Sequence, residues 1–383
     1  MHFDFMGGLS AFGGGLAGYI VPFLFVLTIV VFFHELGHFL VARWCGIKVL
    51  TFSIGFGPEL AGFNDRYGTR WKLSAIPLGG YVKFFGDDNE ASAPNPEAIA
   101  GMSEAERKLS FAGQKVAPRA AVVVAGPLAN FVLAIVIFAA IFMTVGKQTT
   151  TARVDTVQPN SAAAAAGFQP GDLVLSIDGS KIDSFSDMQR IVSVSAGETL
   201  TIEVERGGAP VTLRATPQLR ELKDNFGNVQ RLGVLGISRS MAPGDIHSRK
   251  MGPLEAVVAG AQETWFLVDR TLSYIGGIFT GREAADQLGG PIRIAQVSSQ
   301  VASAGFVALI HLTAVLSVSI GLLNLFPIPM LDGGHLLFYG IEALRGRPLS
   351  ERAQELGLRI GLAIVVMLMI FATFNDILHL ATS

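Results

Sequence analysis

The sequence predicts a polytopic α-helical membrane protein with four transmembrane helices, a membrane-associated β-hairpin region and one small β-rich domain. Three observations carry that class. Half of the 383 residues are hydrophobic and only 16% are charged, against about 25% charged in average soluble domains; mean hydropathy is +0.47. Four long apolar segments stand apart along the chain, and a crossing helix needs about 20 such residues. Between the second and third segments, apolar and polar residues alternate with period two, as in half-buried strands.

The first apolar segment runs from about Leu16 to Phe33 and continues through a polar insert to Trp44, so residues 1–45 form the first span. It qualifies only if His34, Glu35 and His38 sit inside the membrane. Ionisable groups there are costly and are by default functional. The second span, residues 120–146, includes the uncharged run Ala120 to Gly146. The third occupies 305–335, with its apolar part ending near Phe326. The fourth, 356–376, carries Arg359 near its start, where a long side chain can snorkel to the interface. No Lys or Arg lies in residues 1–17, so no cleavable signal peptide is expected.

Basic residues set the orientation. Both tails outside the spans lack Lys and Arg, whereas Arg345, Arg347, Arg352 and Arg359 crowd the last connection and many more fill residues 46–119. Both termini are therefore expected outside, in the periplasm of a bacterium, with the chain in its inner membrane and residues 46–119 on the cytoplasmic side. Net charge is −2, which gives no field to recruit nucleic acid. The single cysteine, Cys45, cannot form an intramolecular disulfide and has no second thiol at metal-ligand spacing, so it is read as a packing residue.

The chemistry sits in the first span. His34-Glu35-Leu36-Gly37-His38 has H-E-x-x-H spacing, which puts two imidazoles on one helix face with the glutamate placed as general base. Two histidines leave a catalytic zinc short of a third protein ligand. Asp332, in Met330-Leu331-Asp332-Gly333-Gly334-His335, is the expected donor. His38 precedes Arg43 by five residues, about 7.5 Å of helix, and Asp332 follows the third span closely, so both lie near the cytoplasmic end. His311 and His335 are read as packing or supporting residues.

With these stretches, Gly126-Pro127-Leu128-Ala129-Asn130 and Asn324-Leu325-Phe326-Pro327-Ile328-Pro329-Met330-Leu331-Asp332-Gly333 make the chain resemble the site-2 protease family, in its bacterial regulator-of-sigma-E branch. The resemblance covers nearly the whole chain. It implies an intramembrane zinc endopeptidase in which His34, His38 and Asp332 bind Zn2+ and Glu35 is the base. It also implies that Asn130 and Asn324 hold substrate backbone or stabilise an oxyanion. Pro327 and Pro329 break the helix where the chain must turn toward the metal. Implied substrates are single-pass membrane proteins, such as an anti-sigma factor already trimmed outside, and remnant signal peptides. One departure is clear: the best-known form of the family has two tandem PDZ domains and this chain has room for one.

That domain is expected over 152–240. Leu173–Gly179 reads as a strand and turn, 186–195 as a short helix, and 199–206 and 211–215 as strands joined by Gly207-Gly208. The run Ala166-Gly167-Phe168-Gln169-Pro170-Gly171-Asp172 resembles bacterial PDZ domains, which bind extended peptides at a sheet edge. Residues 252–300 read as amphipathic helices lying on the outer membrane surface, in contact with lipid, and 87–110 as a flexible cytoplasmic loop. Within 46–119, residues 50–56 and 70–75 alternate around an Asn64–Gly68 turn. Pro77 to Phe84 then dips toward the membrane, and Gly79, Gly80, Tyr81 and Val82 are expected to clamp substrate as an added strand. The rival to an enzyme is a membrane adaptor whose PDZ-like domain binds partners around a structural metal.

Overall fold

The computed structural model describes residues 5–86, 101–182, 184–223, 229–239, 247–281 and 289–382. In chain order the helices are α1 (Phe5–Trp44), α2 (Glu104–Leu109), α3 (Val116–Thr144), α4 (Ala162–Ala166), α5 (Phe185–Val194), α6 (Pro253–Phe279), α7 (Pro291–Ser303), α8 (Phe306–Asn324), α9 (Asp332–Arg345) and α10 (Glu351–Thr382). The strands are β1 (Val49–Asn64), β2 (Arg70–Phe84), β3 (Lys147–Thr149), β4 (Thr156–Val157), β5 (Leu173–Ile177), β6 (Ser180–Lys181), β7 (Leu200–Arg206), β8 (Ala209–Ala215), β9 (Gln218–Lys223), β10 (Val229–Val234), β11 (Ile237–Ser238) and β12 (His247–Arg249). Among the described residues, four helices contain stretches long and apolar enough to cross a membrane: Ala17–Trp44, Val116–Thr144, Phe306–Asn324 and Arg352–Leu378. These are the four segments that hydropathy marks in the sequence.

The chain divides into two compact units. The first comprises residues 1–138, 260–268 and 289–382; the second is chiefly 139–259 and 269–288. In the first unit, α1 packs against β1, β2, α7 and α8. The β1–β2 hairpin is more than two strands side by side. Residues 49–54 pair with 80–84 on one side and with 70–73 on the other, while 56–64 pair with 70–76. The result is a four-lane sheet in the order 56–64, 70–76, 49–54, 80–84, made by bending both strands. Gly55, at φ +87°, sits where β1 bends, and a Cβ there would stand 2.7 Å from the Ile76 carbonyl oxygen. Only glycine meets both conditions.

The turn is closed as its composition suggests. The Asp65 carboxylate accepts from the Tyr67 and Thr69 N–H groups at 2.9 and 3.0 Å, and the Arg43 guanidinium, at the end of α1, donates to Asp65 at 2.5 Å. Burial alone would push the Asp65 carboxyl up. The backbone donors, Trp71 and Arg43 outweigh it and hold the carboxyl below its usual range. Beneath the sheet, Phe39, Phe52, Val82, Phe84 and Val122 form a buried core that joins hairpin to α1 and α3.

One local finding differs from the sequence reading, and a second has no counterpart in it. Part of the expected loop at 87–110 is ordered as α2, capped by Ser103 and Glu106 in a reciprocal capping box; that S-x-x-E signature was present in the sequence. Residues 87–100 lie outside the described residues. The Asp376 carboxylate of α10, inside an apolar span, accepts from the Gly290 and Arg293 N–H groups at 2.8 and 3.0 Å. It thereby satisfies free N–H groups at the start of α7.

The second unit holds the expected β-rich domain, with a four-stranded antiparallel sheet in the order β6-β5-β7-β8. Val174, Ile177, Ile202 and Val204 are fully buried on its inner face beside Met188 and Val192 of α5. The buried Asp172 carboxylate takes two hydrogen bonds from Arg206, both at 2.7 Å.

Candidate metal centre

All the groups of the centre belong to the first unit. His34 and His38 lie one turn apart on α1, and their Nε2 atoms are 3.2 Å from each other. Asp332, the first residue of α9, brings Oδ2 to 3.2 Å from His34 Nε2 and 3.6 Å from His38 Nε2. That oxygen is buried and has no hydrogen-bond partner. His38 Nδ1 donates to the Val122 carbonyl at 2.8 Å, so its Nε2 carries a lone pair in the neutral ring. Two imidazole nitrogens and one carboxylate oxygen thus aim at one point without making hydrogen bonds to the carboxylate, which is the arrangement that a cation stabilises. The donor set of two nitrogens and one oxygen suits zinc with a fourth position left open.

The sequence builds this convergence by close approach. A Cβ at Gly37 would meet the Ala125 carbonyl oxygen at 2.3 Å, and one at Gly126 would stand 2.3 Å from His38 Nε2 and 2.9 Å from His34 Cε1. Two glycines therefore let α1 and α3 press together at the histidines. On the other side, α8 ends at Asn324 and the chain turns through Leu325–Leu331. Pro327 and Pro329 lack the N–H that a continuing helix needs. Met330 has φ +93°, a strained conformation for a residue with a side chain. A Cβ at Gly333 would meet the Phe326 oxygen at 2.2 Å, so the start of α9 folds directly onto the turn. Asp332 then sits in the first turn of its helix, where the dipole favours negative charge.

A cavity of about 550 Å³ opens beside these groups, with Glu35, Asn324, Gly80, Tyr81 and Val82 in its wall. Backbone and side chain come close in this wall: a Cβ at Gly80 would stand 2.9 Å from Glu35 Cγ. The lane 80–84 therefore runs past the glutamate. Of the other expected residues, Gly79 has φ +129° and packs under the Phe56 ring. Neither Pro327 nor Asn130 is in the wall. Asn130 is fully buried behind His34, 3.3 Å from its Nδ1. His335 lines the cavity, while His311 is stacked edge-on with Phe138. Sequence reasoning missed the ion pair between Arg119 of α3 and Glu342 of α9, also in the wall. Arg119 weighs in the sequence only as one basic residue among many, and nothing local pairs it with a glutamate 223 positions away.

The family model for peptidase family M50 matches residues 22–368. The chain belongs to peptidase family M50, the site-2 protease family. It is 52% identical over 372 residues to Atu1380 of Agrobacterium fabrum, which carries a zinc metalloprotease designation, covering 97% of this chain and 99% of that one. It is 41% identical over 380 residues to metalloprotease MmpA of Caulobacter vibrioides, covering 94% and 95%. It is 31% identical over 454 aligned positions to the regulator of sigma-E protease RseP of Escherichia coli, covering 93% and 98%. A solved PDZ domain from Listeria monocytogenes covers 22% of this chain and 83% of its own length, at 22% identity and a TM-score of 0.18. This M50 peptidase is a metalloendopeptidase, and its cofactor is zinc.

Proposed function

We propose that this peptidase hydrolyses peptide bonds of single-pass membrane proteins within or beside their transmembrane helices, with His34, His38 and Asp332 as zinc ligands. The observation that carries the reading is the convergence of those three side chains, two from the apolar helix α1 and one from the start of α9 just past the turn that ends α8, beside a cavity that also holds Glu35. Zinc held by His34, His38 and Asp332 would supply the Lewis acidity that polarises a scissile carbonyl and lowers the pKa of water. Glu35 removes the proton as the water oxygen adds to the carbonyl carbon, and returns it to the amine nitrogen as the C–N bond breaks. Asn324, in the cavity wall, donates its amide N–H to the carbonyl oxygen as charge develops there.

A helix hides its peptide bonds in its own hydrogen bonds, so the substrate must unwind before attack. Lane 80–84 supports an account of how it is held: the unwound segment lies along Gly80, Tyr81 and Val82 as an added strand, with Gly79 and Pro327 shaping the backbone on either side. The substrates are a trimmed anti-sigma factor and remnant signal peptides. The enzyme sits in the inner membrane with both termini and the β-rich domain in the periplasm, where that domain, PDZ-like in pattern, filters substrates by size. The adaptor alternative leaves the open fourth position and Glu35 without a use. Purified protein incubated with a candidate single-pass substrate should release two fragments, stop with a chelator and resume with added zinc. Cleavage insensitive to chelation would contradict the proposal.

A further inference from the structure

Each histidine of the centre has two ring nitrogens, and a nitrogen that binds metal must keep its lone pair, which puts the proton on the other. For His38 the partner of the protonated Nδ1 is the Val122 carbonyl oxygen, an acceptor. For His34, whose Nε2 faces Asp332 and His38, the group beside Nδ1 is the Asn130 amide nitrogen at 3.3 Å. That sets one N–H against another. At the same time the Asn130 Oδ1 is buried with no hydrogen-bond partner, a costly state. A half-turn of the amide about its Cβ–Cγ bond removes both faults, because it exchanges two atoms of nearly equal shape. It brings Oδ1 within reach of the His34 Nδ1–H.

We propose that Asn130 is a positioning residue that accepts a hydrogen bond from His34 Nδ1–H through Oδ1, and is not a donor to substrate. The inference rests on His34 being a zinc ligand. Helix α3 then orients both histidines, one through a backbone carbonyl and the other, two turns later, through a side-chain carbonyl. Such partners fix the ring and its tautomer and raise its basicity. The amide is itself held from α8. Ser317 donates to the Asn130 backbone oxygen at 2.8 Å, and a Cβ at Gly321 would press on the Asn130 Cβ at 3.1 Å. Complete burial fits this role: a side chain with no exposed surface, outside the cavity wall, does not meet a substrate carbonyl.

The acceptor and donor roles separate in one pair of variants. Asn130→Asp keeps the shape and only accepts; Asn130→Leu does neither. In the full-length protein in detergent, zinc affinity is measured by competition with a chelator of known affinity, alongside cleavage. Asn130→Leu should lose about 10–100-fold in zinc affinity, and Asn130→Asp should hold zinc close to wild type and cleave far better than Asn130→Leu. Wild-type affinity in Asn130→Leu overturns the proposal. So does Asn130→Asp that binds zinc normally but has lost cleavage, since the amide N–H is then what matters. If Asn130→Leu does not fold, the Asn130→Asp arm decides alone. A parallel Asp332→Asn variant that retains zinc like wild type would instead sink the zinc assignment itself and this inference with it.

Discussion

Gly126 lies so close to His38 that a Cβ on it would stand 2.3 Å from the ring's Nε2. No rotamer adjustment of the glycine position itself relieves that, because a Cβ is fixed by the backbone. The obstructed atom is also the one read as a metal ligand. Gly126→Ala should therefore displace the ring or part α1 from α3, lowering zinc affinity by about ten-fold or more, the scale of losses seen when ligand orientation is disturbed. Zinc titration of the folded variant checks this, and wild-type affinity would contradict it.

The four spans and the placing of two histidines on one helix face are legible in the sequence because each rests on local spacing: an apolar run of the right length, or His34 and His38 four residues apart. Asp332 was legible only by joining two distant stretches through their shared membrane depth. What could not be read was pairing over long separations. The bent four-lane sheet depends on Gly55 and on residues 49–54 being used twice. Simple alternation shows two strands and no second partner. For Asn130 the family resemblance implies substrate contact, and a polar residue in a span does not by itself show which way it faces. Its burial against His34 is a property of helix packing.

The added-strand account makes Val82 informative. Val82 pairs with Phe52 across the sheet and lines the cavity, and proline there removes one backbone donor without touching a proposed ligand. Val82→Pro should slow cleavage of a stably helical substrate more than that of one loosened by Gly or Pro near its cut site. Competition assays with the two substrates measure the ratio; equal loss on both would count against the clamp.

If the β-rich domain filters by size, deleting residues 152–239 with a short linker should let cells cut an untrimmed substrate that the intact enzyme spares. The comparison is made by immunoblot of both substrate forms. A deletion variant still active on trimmed substrate that continues to spare the untrimmed form would remove the filter from the account.

Asp172 predicts the acid response of that domain. Burial pushes its carboxyl up, but the Arg206 hydrogen bonds, the Gln169 N–H and the Arg206 charge together hold it below the usual range. A carboxyl depressed in the folded state contributes stability that is complete above the ordinary value of about 4 and is lost as pH falls through the lower folded value. Asp172→Asn should cost about 1.5–3 kcal/mol near neutral pH, the range for a charge-assisted hydrogen bond. The gap from wild type should narrow in acid. Hydrogen exchange of the domain within the intact protein measures both; a gap independent of pH would contradict the assignment.

The central claim is that three side chains hold zinc while a fourth, Glu35, moves the proton. Glu35→Gln keeps the shape, leaves His34, His38 and Asp332 in place, and removes the base. Zinc content and cleavage of a single-pass substrate, measured on one preparation of the purified variant, test that division of labour together. The account predicts a full equivalent of zinc and cleavage reduced by about 10²–10⁴-fold, the usual contribution of a positioned acid–base group. Loss of the zinc, or cleavage at the wild-type rate, would contradict it.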